Sequence, residues 1–168
     1  IGYEVDGWSS DKYPNALLGV VALIRQTLSD GKWYIEAEKK AKDYPQINSP
    51  LKKNIDLESI GNWRNEKSPF IFETNHELTA LRSQKIASEF DLNYWIKGSG
   101  YEYRRLYELS ESNPYIILPL DFPVTPDISH PYQELSYSTS ELKHWDLAPS
   151  NPAALTDSGI PFSLTSSE

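Results

Sequence analysis

Glu73, Thr74, Asn75, His76 and Glu77 stand directly after a short apolar run, Phe70 to Phe72. A carboxylate at the carboxyl end of a strand is placed to hold a metal or to move a proton. The same residues also suit a helix start, with Asn75 or Thr74 as cap and Glu77 at the positive end of the helix dipole. Lys97, Gly98, Ser99 and Gly100 follow the next apolar run. A glycine-rich turn from strand to helix can cradle an anion with its amides, and Lys97 with Arg104 and Arg105 would add charge. The turn lacks both the G-x-G-x-x-G spacing and the Walker lysine, so the plainer reading is a tight turn, with the two arginines on a solvated helix face. Leu120 with Asp121 and Thr165 to Ser167 close two further runs. Glu73 and Asp121 at neighbouring strand ends, with Tyr and Trp nearby, have the makings of a two-carboxylate glycosidase pair. His130 and His144 share no metal-ligand spacing and have no cysteine to help them, which argues against zinc held by that pair. No G-x-S-x-G elbow occurs. Glu73 is thus the candidate metal ligand, Asn75, Lys97, Ser99 and Asp121 are candidate substrate-binding residues, and no side chain is singled out as a catalytic group.

These positions gain their meaning from the elements around them. From Pro69 to Leu120 the chain reads strand, helix, strand, helix, strand, the rhythm of a parallel α/β sheet, in which chemistry gathers at the carboxyl ends of the strands. Phe70 to Phe72, Leu92 to Ile96, Tyr115 to Leu118 and Phe162 to Thr165 are the expected strands, apolar enough to be covered on both faces. A helix is expected from about Glu77 to Phe90, with Leu78, Leu81, Ile86 and Phe90 on its buried side. Phe122 to Pro131, rich in proline, reads as a long loop after a strand end. Ser140 to Ala148 and Asn151 to Ser158 read as helices, and Gly159 as the C-cap before the last strand. Upstream, Asp11 and Pro14 mark a helix start, and Leu17, Leu18, Val21, Ile24, Arg25 and Leu28 keep helical spacing. Gly31 is expected to break or bend that helix before a charged continuation from Trp33 to Lys42. Pro45 and Pro50 enclose a loop, and Asp56 is the expected cap of a short helix through Leu57, Ile60 and Trp63.

The 168 residues, 39% apolar and 12% aromatic, suffice for one ordinary domain with a sizeable core. A net charge of -8 without a basic cluster argues against nucleic acid, whose affinity begins with Lys and Arg at phosphates. The apolar stretch around Ala16 to Ile24 is helix-sized and broken by Gly19, too short for a membrane span. The absence of cysteine excludes disulfides and thiolate chemistry. The chain starts at Ile1 with no initiator Met and stops three residues beyond a strand-like run, so it is expected to be a piece of a longer protein.

PFIFETNHELTALRSQKIASEF followed by DLNYWIKGSGYEYRRLYELSESNPYIILPL resembles the imidazolonepropionase-like branch of the amidohydrolase superfamily. There the equivalent segment runs from a P-V-x-I-H-A-H strand end through an I-x-x-A-x-x-I-A-x-x-F helix to a strand ending E-H-G-T-E. LAPSNPAALTDSGIPFSLTS is similar to the family's P-E-N-P-A-x-L-x-x-A-G-V-x-V-A-L-T-S-D, and YPNALLGVVALIRQT to the helical region that precedes these strands in some members. The likeness spans roughly Leu57 to Ser167.

The resemblance implies a partial (β/α)8 barrel, the carboxyl-terminal half with about strands five to eight, and a divalent metal, zinc or iron, that activates water to hydrolyse C–N bonds. By resemblance Glu73 stands at the fifth-strand His, Gly98 at the sixth-strand His and Ser167 at the eighth-strand Asp. The first-strand His pair has no counterpart in the chain. With one carboxylate left among these positions, a family-type centre lacks donors, and two readings stand. The chain is part of a hydrolase, inactive alone, or a non-catalytic binding or scaffold barrel beside a catalytic homologue. No cofactor is expected in this fragment. Its expected partners are the remainder of the barrel or parent protein and, through open strand edges, a second copy of itself.

Overall fold

The computed structural model describes residues 1–2, 13–47, 51–127, 129–130 and 132–166. Asp11, Pro50, Pro131 and Ser167, four positions singled out from sequence, lie outside the described residues. The contacts of the chain divide it into two units. One holds Ile1, Ile71–Lys85 and the chain from Tyr94 onward; the other holds the chain from Gly2 up to Phe70 together with Ile86–Asn93.

The second unit is built on α1 (Leu17–Asp43) packed against α2 (Ile55–Asn65). Gly31 does not break α1, which runs through it into the charged stretch. The glycine is there for contact: a Cβ on Gly31 would stand 2.8 Å from Ile60 Cγ2, and one on Gly61 would meet Ile35 and stand 2.9 Å from the Gly31 carbonyl oxygen. Two helix backbones approach where neither carries a side chain, so the residue that reads as a breaker is the packing surface. The buried positions of α1 are Val20, Leu28, Gly31 and Tyr34, while Leu18 is exposed. The cap of α2 is Asn54, whose Oδ1 accepts from Leu57 N at 3.2 Å; Asp56 instead lies in the first turn, where its charge favours the dipole. Tyr34 Oη accepts from Asn54 N at 3.0 Å, and Arg25 pairs with Glu89 at 2.7 Å.

The first unit carries a four-stranded sheet of β1 (Phe70–Glu73), β2 (Tyr94–Lys97), β3 (Tyr115–Pro119) and β4 (Phe162–Thr165), in that order. β2 pairs with β3 in parallel, Ile96 opposite Ile116, and β3 with β4, Ile116 opposite Phe162. Between β1 and β2, Phe70 N donates to Asn93 O and Thr74 N to Lys97 O, the same offset at both ends, as a parallel pair requires. The four apolar runs read from sequence are thus adjacent strands of a mixed α/β fold.

Helices α3 (Glu77–Glu89), α4 (Leu106–Ser110), α5 (Thr139–Leu147) and α6 (Asn151–Asp157) follow the strands. Ala80, Leu109, Leu155 and Ile160 close with Ile96, Ile116 and Leu118 into the core, and Leu81, Tyr94, Leu106 and Phe162 pack against it. Because strand side chains alternate, Ile71, Glu73, Trp95, Lys97 and Tyr115 fall on the opposite face. There Ile71 and Trp95 are exposed and Trp95 packs on Tyr115 at 5.1 Å. The expectation of cover on both faces is therefore met on one face only. In α3 the buried residues are Glu77, Thr79, Ala80, Ser83, Ile86 and Ala87; Leu78, expected inside, is exposed. The end of α6 matches expectation: Gly159 takes φ +69° and its amide donates to Thr156 O.

Candidate functional site

The turn after β1 is tied down at once. Glu73 N donates to Ile1 O, and Ile1 N donates to Ile71 O at 2.6 Å, so Ile1 runs beside β1 with the hydrogen-bond pattern of a parallel strand. Glu73 Oε1 accepts from Lys97 Nζ at 2.6 Å, and that hydrogen bond and charge hold its carboxyl below the ordinary value. Thr74 Oγ1 donates to Lys97 O at 2.8 Å, joining the ends of β1 and β2. Neither Thr74 nor Asn75 caps α3. Asn75 Oδ1 accepts from Thr79 Oγ1 at 3.3 Å, and His76 holds the cap position, its carbonyl accepting from Thr79 and Ala80.

The turn after β2 is spent inward as well. Ser99 N donates to Glu102 Oε1 at 2.6 Å, and Asn151 Nδ2 donates to Glu102 Oε2 at 2.7 Å, all around a carboxylate with no solvent exposure. The amide that could have cradled an anion already has one, supplied by the chain. A Cβ on Gly98 would stand 2.8 Å from Glu102 Oε1 and 3.1 Å from Ile116 Cγ2, so this position has room for hydrogen alone. Asp121 is exposed in the segment after β3.

A cavity of about 380 Å³ opens slightly further from the strand ends. Pro123, Val124, Pro126, Tyr137 and Trp145 give it apolar walls, and His76, Tyr101, Arg104, Ser140, Glu141 and His144 its polar ones. Asn75, Lys97, Ser99 and Asp121 do not line it; the first three are held in separate local contacts and Asp121 is exposed. Arg104, expected on a solvated helix face, is instead part of the wall. Its guanidinium lies 4.7 Å from the centre of the Tyr101 ring, its Nε donates to Tyr103 Oη at 3.3 Å and its Nη2 to Ser140 Oγ at 3.2 Å. Glu77 Oε1 is 3.6 Å from Arg104 Nη1.

His76 Nδ1 is 3.1 Å from Glu77 Oε2 and 3.4 Å from Leu78 N. The first contact is shorter and serves a buried carboxylate oxygen that has no other donor among the described residues, so the proton belongs on Nδ1, pointing at Glu77. On the other side His144 stacks on Tyr101 at 3.6 Å between ring centres, and its Nδ1 is 3.2 Å from Tyr103 Oη. Burial, and then the charge of Arg104, lower its pKa from the ordinary imidazole value. His130 stays on the exposed segment after β3, stacked on Tyr132, and does not line the cavity with His144. Sequence reasoning passed over Tyr101, Tyr103 and Tyr137 because aromatic residues usually fill cores. The one signal available was YEYRR directly after a glycine turn, where no core strand can run.

A family-type metal would need several of these side chains to converge on one point. Among the described residues no group of three or more His, Asp or Glu side chains converges to hold an ion, and the residues present do not fit one.

No family model matches the chain, and no curated protein matches it. Among solved structures it is similar to an amidohydrolase from Thermotoga maritima MSB8, with a TM-score of 0.65 and 19% identity. The match covers 91% of this chain and 36% of that one, so the chain spans about a third of that protein's length. At this identity the likeness is one of fold.

Proposed function

We propose that the chain is a portion of an amidohydrolase-like (β/α)8 barrel, its fifth to eighth strands, that has given up the family's metal-activated water and works by binding. The motif likeness to the imidazolonepropionase-like branch, the parallel order β1-β2-β3-β4 and the fold shared with an amidohydrolase support the barrel. The uncovered sheet face, with Ile71, Trp95 and Tyr115, is where the remainder of a parent barrel or a second copy would pack. One observation carries the loss of the metal. The two ligand positions within the described residues are occupied by the chain itself, Glu73 by Lys97 and the space beside Gly98 by the Glu102 carboxylate. A catalytic zinc site needs about three protein ligands, and imidazole cannot return to Gly98 while Glu102 is held by Ser99 and Asn151.

The competing reading is a hydrolase whose other half supplies the ligands. Calorimetric titration of the metal-stripped chain with zinc, repeated on Glu73→Ala, tests whether this chain keeps a metal site of its own. Only weak, non-stoichiometric binding, equal in both proteins, is expected. Stoichiometric micromolar binding abolished by Glu73→Ala would restore the metal centre. In a glycosidase pair of Glu73 and Asp121, Glu73 could not be the general acid, which needs a raised pKa, because Lys97 lowers that of Glu73.

A further inference from the structure

The polar side of the cavity holds donors the fold does not use. Arg104 brings five N–H groups. Among the described residues two of them are engaged, Nε with Tyr103 and Nη2 with Ser140. The contact of Nη1 with Glu77, at 3.6 Å, is an ion pair too long to be a hydrogen bond. The remaining N–H groups are those of a partly exposed guanidinium in the cavity wall.

His144 contributes a further donor, and its tautomer follows from its neighbours. Arg104 Nε can only donate, so Tyr103 Oη accepts there, and we assign the Tyr103 proton to His144 Nδ1, the acceptor within its reach among the described residues, which leaves no Tyr103 hydrogen unpaired. The proton of neutral His144 therefore sits on Nε2, and burial keeps that ring neutral. The other walls, Trp145, Tyr137, Pro123, Val124 and Pro126, are flat or apolar. Glu141 stands at the same cavity with its Oε2 held by Ser138 N and Oγ, which lowers its pKa and keeps it charged. A second negative charge on a ligand would meet it.

We infer that this cavity binds a planar aromatic monocarboxylate, with the carboxylate on Arg104 and the Nε2–H of His144 and the ring against Trp145, Tyr137 and the prolines. Its volume, about 380 Å³, lies at the lower end of the usual range for small-ligand pockets, roughly 300–1,000 Å³. A planar acceptor pair matches the guanidinium fork, and a carboxylate makes each hydrogen bond charge-assisted. This inference rests on the binding role proposed above but uses none of the residues at the metal positions.

The test titrates the 168-residue chain with benzoate, followed by NMR. Cyclohexanecarboxylate supplies the charge without the plane, benzamide the plane without the charge, and phthalate a second charge. Benzoate is expected to bind at least tenfold more tightly than benzamide and several-fold more tightly than the other two. Arg104→Gln should weaken benzoate at least tenfold, and Arg104→Lys, which keeps the charge and loses the fork, nearly as much. If Arg104→Gln does not fold, Trp145→Ala, at an exposed position, should weaken benzoate several-fold. Equal binding of benzoate and benzamide, an unchanged affinity in these variants, or no benzoate binding at tens of millimolar would each overturn the inference. Zinc binding lost in Glu73→Ala would overturn the non-metal reading and leave the benzoate result untouched, so the two failures are distinguishable.

Discussion

Two groups of side chains at the carboxyl ends of β1 and β2 stand within a few residues of each other in sequence and are used differently. At the strand ends proper, Glu73, Thr74, Lys97, Gly98 and Ser99 are consumed by the backbone and by one another, through Lys97 Nζ on Glu73, Thr74 on the Lys97 carbonyl and Glu102 under Gly98. A few positions on, His76, Tyr101 and Arg104 join His144 of α5 in a wall that, among the described residues, has donors to spare. The difference teaches where function can persist in such a fold. The residues at the very end of the strands hold the turns together, while residues on the turns beyond them face a concavity.

The comparison is sharpest at Glu102. Glu102→Ala removes a buried carboxylate and strands Ser99 N and Asn151 Nδ2, so a loss of roughly 3–5 kcal/mol is expected in a urea melt. A loss under 1 kcal/mol would mean that the turn after β2 is not spent on structure. Next in size is Gly98→Ala, whose methyl must displace Glu102 Oε1 or Ile116, at a cost of about 1–3 kcal/mol. A neutral result would reopen this position to a side-chain ligand.

A smaller effect should follow pH in the second group. His144 takes up its proton at lower pH when folded than in the unfolded chain, where its pKa is about 6.5. Its contribution to stability is therefore complete above that value and is lost as pH falls through the lower folded pKa. Urea midpoints of the wild type and His144→Asn should lie further apart at pH 7.5 than at pH 5; a gap that stays constant would deny the neutral, buried imidazole. The smallest effect belongs to Glu73→Ala. Both partners of its ion pair are substantially exposed, so the change in stability should stay within about 0.5 kcal/mol, and a larger one would show that the pair braces the strand ends.

The strands were legible because four apolar runs, each closed by polar or turn residues, leave few alternatives, and Gly159 was legible because a helix end needs a left-handed residue. Gly31 was misread since local propensity cannot see that Ile60 and Gly61 lie against it. Leu78 was placed inside α3 by size, but the surface it would face is taken by Thr79, Ala80 and Ser83, which allow closer packing. Glu73, Asn75, Lys97, Ser99 and Asp121 have the residue types of a site, and sequence carries no mark that the first four are already engaged. The cavity was invisible for the opposite reason. Its walls come from segments as far apart as His76 and Trp145, and no spacing rule joins them.

The stacking of His144 on Tyr101, with their rings 14° from parallel, has a spectroscopic consequence. An imidazole lying over a phenol ring sits in its shielding cone, so the carbon-bound protons of His144 should resonate upfield of those of His130. That displacement identifies the signal without isotope-edited assignment. Its movement would then report, from one resonance, both the protonation of the ring and the arrival of any molecule that parts it from Tyr101.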